Sequence, residues 1–184
     1  MRKVAVVMLL VLALSGLASA KSDIGLKGVG GQLAYVFPED PIESTIGFGG
    51  NVYLGKLSPQ LKLFTYVDYW KKSYDESKHV ESSFSVLSIM GALRYQFPST
   101  GNIKPYAGGG LGLNIASASW EYSGEYSEYF DDEGSESETD LGILIMVGAS
   151  TMLSSNMEGF AEVRYNIADV DFFGIYAGIT YLLK

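Results

Sequence analysis

Three groups of residues in this 184-residue chain carry functional groups at spacings that invite chemistry. The densest is the stretch from Glu121 to Asp140. It holds Glu121, Glu125, Glu128, Asp131, Asp132, Glu133, Glu136, Glu138 and Asp140 with no Lys or Arg, interleaved with Tyr122, Tyr126, Tyr129 and Phe130. Carboxylate oxygens suit hard cations, so Glu128, Asp131, Asp132 and Glu133 are candidates for holding calcium or magnesium, or for docking a basic surface partner. The Asp131-Asp132-Glu133-Gly134 run lacks the alternate-position acids of an EF-hand loop, and a solvated acidic loop would have the same composition, so no metal is assigned. The tyrosines favour contact with a partner, because an amphipathic ring offers both apolar area and a hydrogen bond.

The second group surrounds His79, the only histidine, with Glu81, Ser82 and Ser83 nearby. A Ser-His-acid set would make a hydrolase, but these are neighbours within one polar segment, where chance proximity is enough. No catalytic residue and no cofactor is assigned, and the chain is not expected to be an enzyme. The third group, Lys62, Asp68, Arg94, Glu162 and Arg164, is scattered along the sequence and sums to +1. These five become a set only through the elements that carry them.

Those elements are read from alternation. From Lys104 to Trp120, Ala107, Gly109, Leu111, Leu113 and Ile115 fall on one set of positions, and Tyr106, Gly108, Gly110, Gly112 and Asn114 on the other. A strand sends successive side chains to opposite faces, so one face is apolar and the other small or polar. A helix would place three adjacent glycines in its interior, at roughly 1 kcal/mol each relative to Ala. Seven further segments alternate in the same way: Ile24 to Phe37, Thr45 to Leu54, Leu61 to Lys72, Ser83 to Phe97, Leu141 to Leu153, Glu158 to Ile167 and Phe172 to Leu183. Each reaches the ~9 to 11 residues that a tilted strand needs to cross a bilayer, and their even number suits a closed antiparallel barrel. The connections Gly55 to Gln60, Pro98 to Ile103 and Ser154 to Met157 are compact turns. Pro38 to Ser44, Ser73 to Ser82, Glu121 to Asp140 and Ala168 to Asp171 are acidic, and two of them are long.

Placement of charge decides the solvent. Val29, Leu33, Ile46, Phe48, Val67, Ile89, Leu113, Ile145, Val163 and Ile175 lie on faces whose middle stretches hold no charged residue, whereas Lys62, Asp68, Arg94, Glu162 and Arg164 share the opposite faces with Gln32, Asn51 and Asn114. A basic residue facing lipid at mid-membrane costs about 2 to 4 kcal/mol, so the clean faces belong outside. A soluble lipocalin-like barrel would invert this arrangement. The inward charges then line a narrow channel for ions or small solutes, or else pair into a plug. Inward Phe64, Tyr66, Trp70, Met90, Leu144, Met146, Phe160 and Tyr176 favour the plug.

Residues 1–20 have the chemistry of an export signal: basic Arg2 and Lys3, an apolar run from Val4 to Leu14, and small Ala18-Ser19-Ala20 before the expected cut. Residues 21–184 form the expected barrel domain. There is no Cys, so disulfides and lipid attachment through a thiol are excluded. Thirteen Lys+Arg face 21 Asp+Glu, and loss of Arg2 and Lys3 leaves 11 against 21, a net charge of about −10, which argues against a nucleic-acid partner.

Lys104-Pro105-Tyr106-Ala107-Gly108-Gly109-Gly110-Leu111-Gly112 and the closing Gly174-Ile175-Tyr176-Ala177-Gly178-Ile179-Thr180-Tyr181 resemble segments of the small outer-membrane β-barrel proteins, the OmpX-like and opacity-type group. The likeness covers the whole mature chain as architecture and these two segments as local pattern. It implies an all-β, eight-stranded, antiparallel up-and-down transmembrane barrel in the bacterial outer membrane, with membrane lipid and the outer-membrane assembly machinery as partners. Barrels of this group commonly end on an aromatic residue that the machinery reads, whereas this sequence reads Tyr181-Leu182-Leu183-Lys184. The expected function is structural or interactive, with acidic loops presented at the cell surface. A narrow porin-like channel is the alternative, and a lipid-modifying barrel enzyme or a soluble lipocalin-like binder stands behind both.

Overall fold

The computed structural model describes residues 23–77, 80–122 and 133–183. The candidate export signal, His79, Glu128, Asp131 and Asp132 lie outside them. The described chain forms eight strands: β1 (Asp23–Pro38), β2 (Thr45–Lys56), β3 (Leu61–Ser77), β4 (Val80–Gln96), β5 (Ile103–Tyr122), β6 (Glu133–Ser154), β7 (Met157–Ile167) and β8 (Phe172–Leu182). Neighbours in sequence pair antiparallel, and β1 also pairs with β8, which closes the sheet into a barrel. Closure leaves no strand edge at membrane depth, where an unpaired peptide group has no water to bond. The closed eight-stranded architecture is the one that alternation in the sequence leads to.

Register fixes which face meets which medium. Leu33 pairs with Phe48 on one side and Ala177 on the other, and Ile145 with Gly109 and Tyr165. Leu33, Phe48, Ile145 and Tyr165 all point outward and are exposed, Leu33 by 66%. Their inward neighbours include Tyr66 at 0% and Trp70 at 1%. Aromatic rings collect at both ends of the outer surface. Tyr35, Phe37 and Phe173 cluster near the β1–β2 connection, with Phe37 and Phe173 stacked at 4.4 Å, while Tyr95 and Phe97 meet at 5.2 Å near the opposite end. Tyr165 donates its hydroxyl proton to Asp171 at 3.0 Å, the amphipathic arrangement expected where hydrocarbon gives way to water.

Gly112 shows why the inward face of β5 is so small, and Gly55 marks an irregularity in β2. A Cβ on Gly112 would lie 2.7 Å from Met90 Sδ and would meet the Ile89 carbonyl more closely still, so this strand clears room for the backbone of β4 as well as for a side chain from it. Gly55 has a φ of 112° at the register shift between β2 and β3, a conformation that residues with a Cβ seldom adopt.

The structure departs from the sequence reading at the loop end. β3 and β4 pair out to Ser77 and Val80, and β5 and β6 out to Glu121 and Glu133, so most of Ser73 to Ser82 and the Glu133 to Asp140 half of the acidic stretch are strand rather than loop. The ladder continues because alternation continues after the outward residues change from apolar to hydroxyl. Ser85, Ser117 and Ser137 lie directly across one another, as do Ser83, Ser119 and Ser135. Serine hydroxyls tie the strands at 2.8 Å (Ser83 with Ser119) and 2.7 Å (Ser117 with Ser137).

Candidate functional site

Inward positions on β3, β4 and β7 bring Asp68, Arg94, Glu162 and Arg164 into one buried network. The Arg164 guanidinium donates through Nη1 to Asp68 Oδ2 at 2.7 Å and through Nε to Glu162 Oε1 at 2.6 Å. Glu162 also accepts from Arg94 Nη2 at 3.0 Å and from the Tyr106 hydroxyl at 2.6 Å. Gln32 donates its amide to Asp68 and accepts from Arg164 Nη2 at 3.1 Å. Both guanidiniums also rest on ring faces, Arg164 at 4.0 Å from the Tyr66 centroid and Arg94 at 4.3 Å from that of Phe64. Charge-assisted bonds and ring faces together replace the hydration these ions lose on burial.

Lys62 stands apart from the other four. It lies nearer the turn end, where its ammonium pairs with Glu158 at 3.4 Å. Glu158 is the member that the sequence reading missed, and stepping back by twos from Arg164 and Glu162 on β7 would have placed it inward. Its inclusion turns the surplus of +1 into three cations, Lys62, Arg94 and Arg164, against three anions, Asp68, Glu158 and Glu162. Tyr106 and Asn166 were likewise visible in the alternation, though their partners were not. Asn166 exchanges amide hydrogen bonds with Asn114, which also accepts from Ser88 at 2.6 Å.

Apolar packing closes the lumen around these ions. Phe64, Tyr66, Met90, Tyr106, Leu144 and Met146 form one cluster, and Val36, Trp70, Val86, Phe172 and Tyr176 form a second toward the loop end. An eight-stranded barrel is only wide enough for its own side chains, and here they fill it.

Above the second cluster, the extensions of β4, β5 and β6 bound a cleft of about 420 Å³. Phe84, Val86, Ala116 and Ala118 make its floor, Glu136, Glu138 and Asp140 one wall, and Ala168 to Val170 the rim. Among the described residues no Lys or Arg lines it. The acids face the cleft because Asp140, Glu138 and Glu136 pair directly with inward Asn114, Ala116 and Ala118. Asp140 accepts from the Asp169 backbone N–H at 2.6 Å, which ties the wall to the rim. On the far side Lys72 pairs with Glu43 at 2.7 Å, and this hydrogen bond raises the lysine pKa. Glu133 begins β6 opposite Glu121 in register. Among the described residues no group of three or more His, Cys, Asp or Glu is placed to hold a metal ion.

Comparison with known proteins agrees with this architecture. The family profile described as "Outer membrane protein beta-barrel domain" matches residues 5–181. Among solved structures, Neisserial surface protein A superposes with a TM-score of 0.60 at 22% identity, covering 85% of this chain and 96% of that one. Ail, the attachment invasion locus protein of Yersinia pestis, solved with the heparin analogue sucrose octasulfate, gives 0.59 at 15% identity over 87% and 99%. OprG of Pseudomonas aeruginosa gives 0.56 at 12% identity over 87% and 97%. No curated protein matches the sequence.

Proposed function

Because the chain belongs to the outer membrane protein β-barrel family and resides in the bacterial outer membrane, we propose that it is a surface-interaction barrel whose loop end receives a cationic, partly apolar partner. The observation that carries this reading is the cleft walled by Glu136, Glu138 and Asp140 and floored by Phe84, Val86, Ala116 and Ala118. A basic segment with aliphatic or aromatic side chains would satisfy both surfaces. The sequence between β5 and β6 is itself acidic, with Glu128, Asp131 and Asp132 and no Lys or Arg. Ail was solved with a polyanion, and the acidic wall here would repel such a ligand. The barrel below acts as a rigid support: its balanced, packed interior favours the plug over the narrow channel. The test is binding of a fluorescent peptide of alternating Lys and Leu to the barrel in nanodiscs. Binding should weaken with added salt and fall roughly tenfold, the loss of ~1.4 kcal/mol, in Glu136→Gln/Glu138→Gln. Equal binding by this variant would dismiss the cleft as the site.

A further inference from the structure

At the opposite end the mouth of the barrel encloses a second cavity of about 390 Å³, bordered by four lysines, Lys56, Lys62 and Lys104 among them, and by Glu158. We propose that this turn-end mouth is a binding vestibule for a small, water-soluble phosphate ester, gripped by Lys56, Lys62 and Lys104.

The charge there runs against the chain. The sequence has a formal net charge of −8, yet four lysines and a single carboxylate line this cavity. Register makes the concentration costly. Lys56 lies directly opposite Lys62, and Lys62 directly opposite Arg94, so three cations stand in one row across β2, β3 and β4. Like charges directly opposite in a sheet repel. Glu158 answers Lys62, Glu162 answers Arg94, and Asp23 of β1 lies across from Lys56 in register, whereas Lys104 forms no ion pair among the described residues. A bound anion would relieve what the fold leaves uncompensated.

The inner end of the vestibule offers a further donor. Lys62, Gln96, Ser150 and Glu158 also border a small void of about 10 Å³ shared with Arg94 and Tyr106. Arg94 is only 3% exposed, and its Nε has no hydrogen-bond partner among the described residues. Beyond lies the closed network around Glu162, so the cavity ends blind.

Ligand class follows from donor geometry. Ammonium groups reaching in from β2, β3 and β5 are point charges at separate angles, which suits the divergent oxygens of a tetrahedral phosphate better than a planar carboxylate, whose natural partner is a bidentate guanidinium. The Gln96 amide and the Ser150 and Thr151 hydroxyls supply neutral donors, and the Tyr53 ring and Met152 offer apolar surface to the ester's organic part. The size lies within the ~300 to 1,000 Å³ usual for small-molecule sites. The opening lies along the barrel axis at the end with short connections, the periplasmic end in barrels of this kind, so the ligand arrives from water rather than from the lipid leaflet.

Pyrophosphate titrated into the barrel in zwitterionic micelles, followed by calorimetry and by amide NMR shifts, tests the assignment. Saturable binding is expected, with shifts at Lys62, Gln96 and Ser150, and roughly tenfold loss of affinity in Lys56→Gln/Lys104→Gln but not in Lys71→Gln/Lys72→Gln. Boil-sensitive mobility on a gel reports folding of both variants. If the first does not fold, the wild-type shift map decides. No saturable binding, equal loss in both variants, or shifts centred on Lys71 would overturn the proposal. Competition by added phosphatidylglycerol would transfer the site to lipid headgroups and overturn the soluble ligand.

Discussion

Replacing Glu162 by Gln removes the anion on which both buried guanidiniums converge while leaving side-chain volume nearly unchanged. In the native barrel this carboxylate accepts from Arg94 at 3.0 Å, from Arg164 Nε at 2.6 Å and from Tyr106 at 2.6 Å. Glutamine retains one acceptor oxygen and turns an N–H₂ donor toward guanidiniums that are themselves donors only. Arg164 would keep Asp68, whereas Arg94 would lose its only ion pair among the described residues and depend on the rings of Phe64, Tyr106 and Phe160. Removing one partner from a buried ion pair typically costs about 3 to 5 kcal/mol, most of it the penalty of the charge left behind. We therefore expect Glu162→Gln to lower the unfolding free energy in lipid vesicles by about 3 to 5 kcal/mol, or roughly two to four orders of magnitude in the folding equilibrium constant. Urea titration followed by fluorescence of Trp70, which is 1% exposed in the native barrel, reads the change. Arg94→Met/Glu162→Gln should recover much of the loss, since both the orphaned cation and its former partner are gone. A Glu162→Gln cost below about 1 kcal/mol, the level of solvent-exposed pairs, would refute the reasoning: the interior would be hydrated, and planar-bilayer currents should then be measurable.

Two further outcomes follow from the faces and the packing. Lysine at outward Ile145 should cost about 2 to 4 kcal/mol in vesicles, while lysine at outward Ser137 on the same strand should cost less than about 1 kcal/mol, because only the first lies in hydrocarbon; equal costs would displace the membrane boundary drawn here. Gly112→Val should overpack the lumen by at least about 1 to 3 kcal/mol and reduce the boil-sensitive folded form on a gel, with little rescue by Met90→Ala, because the closest obstacle is the Ile89 backbone carbonyl.

The barrel was legible because a two-residue period is written into the chain wherever the two faces meet different solvents. Leu113 against Asn114, or Val163 against Arg164, assigns its face without any tertiary information. The same period runs through Ser135-Glu136-Ser137-Glu138-Thr139, but there polarity outweighs it and the sequence alone points to a loop. Above the membrane both faces are polar, so hydropathy no longer marks the strand, although β-pairing persists through Ala118 opposite Glu136 and Ser117 opposite Ser137. The interior charges were individually visible, but partner choice was not. Whether Glu162 meets Arg94, 68 residues away, depends on register and strand tilt, which the local pattern does not encode. The lysine mouth was hidden for a similar reason: Lys27, Lys56 and Lys104 look like ordinary turn-flanking residues until closure brings their strands together.

The unequal strands also fix how deeply the molecule is immersed. β2 leaves β3 after the Gly47–Trp70 pair, and β7 leaves β6 after the Ile167–Ile143 pair, while β3 and β6 run on to Ser77 and back to Glu133. Beyond those points each long strand has a neighbour on one side only, among the described residues, so its other side presents peptide groups that no strand ladder satisfies. In hydrocarbon each such group would cost several kcal/mol. Acyl chains must therefore stop at or below the level of Trp70 and Ile143, whatever the hydropathy of the residues above. Leu141, apolar and 60% exposed, cannot draw the barrel deeper, because the backbone beside it must stay wet.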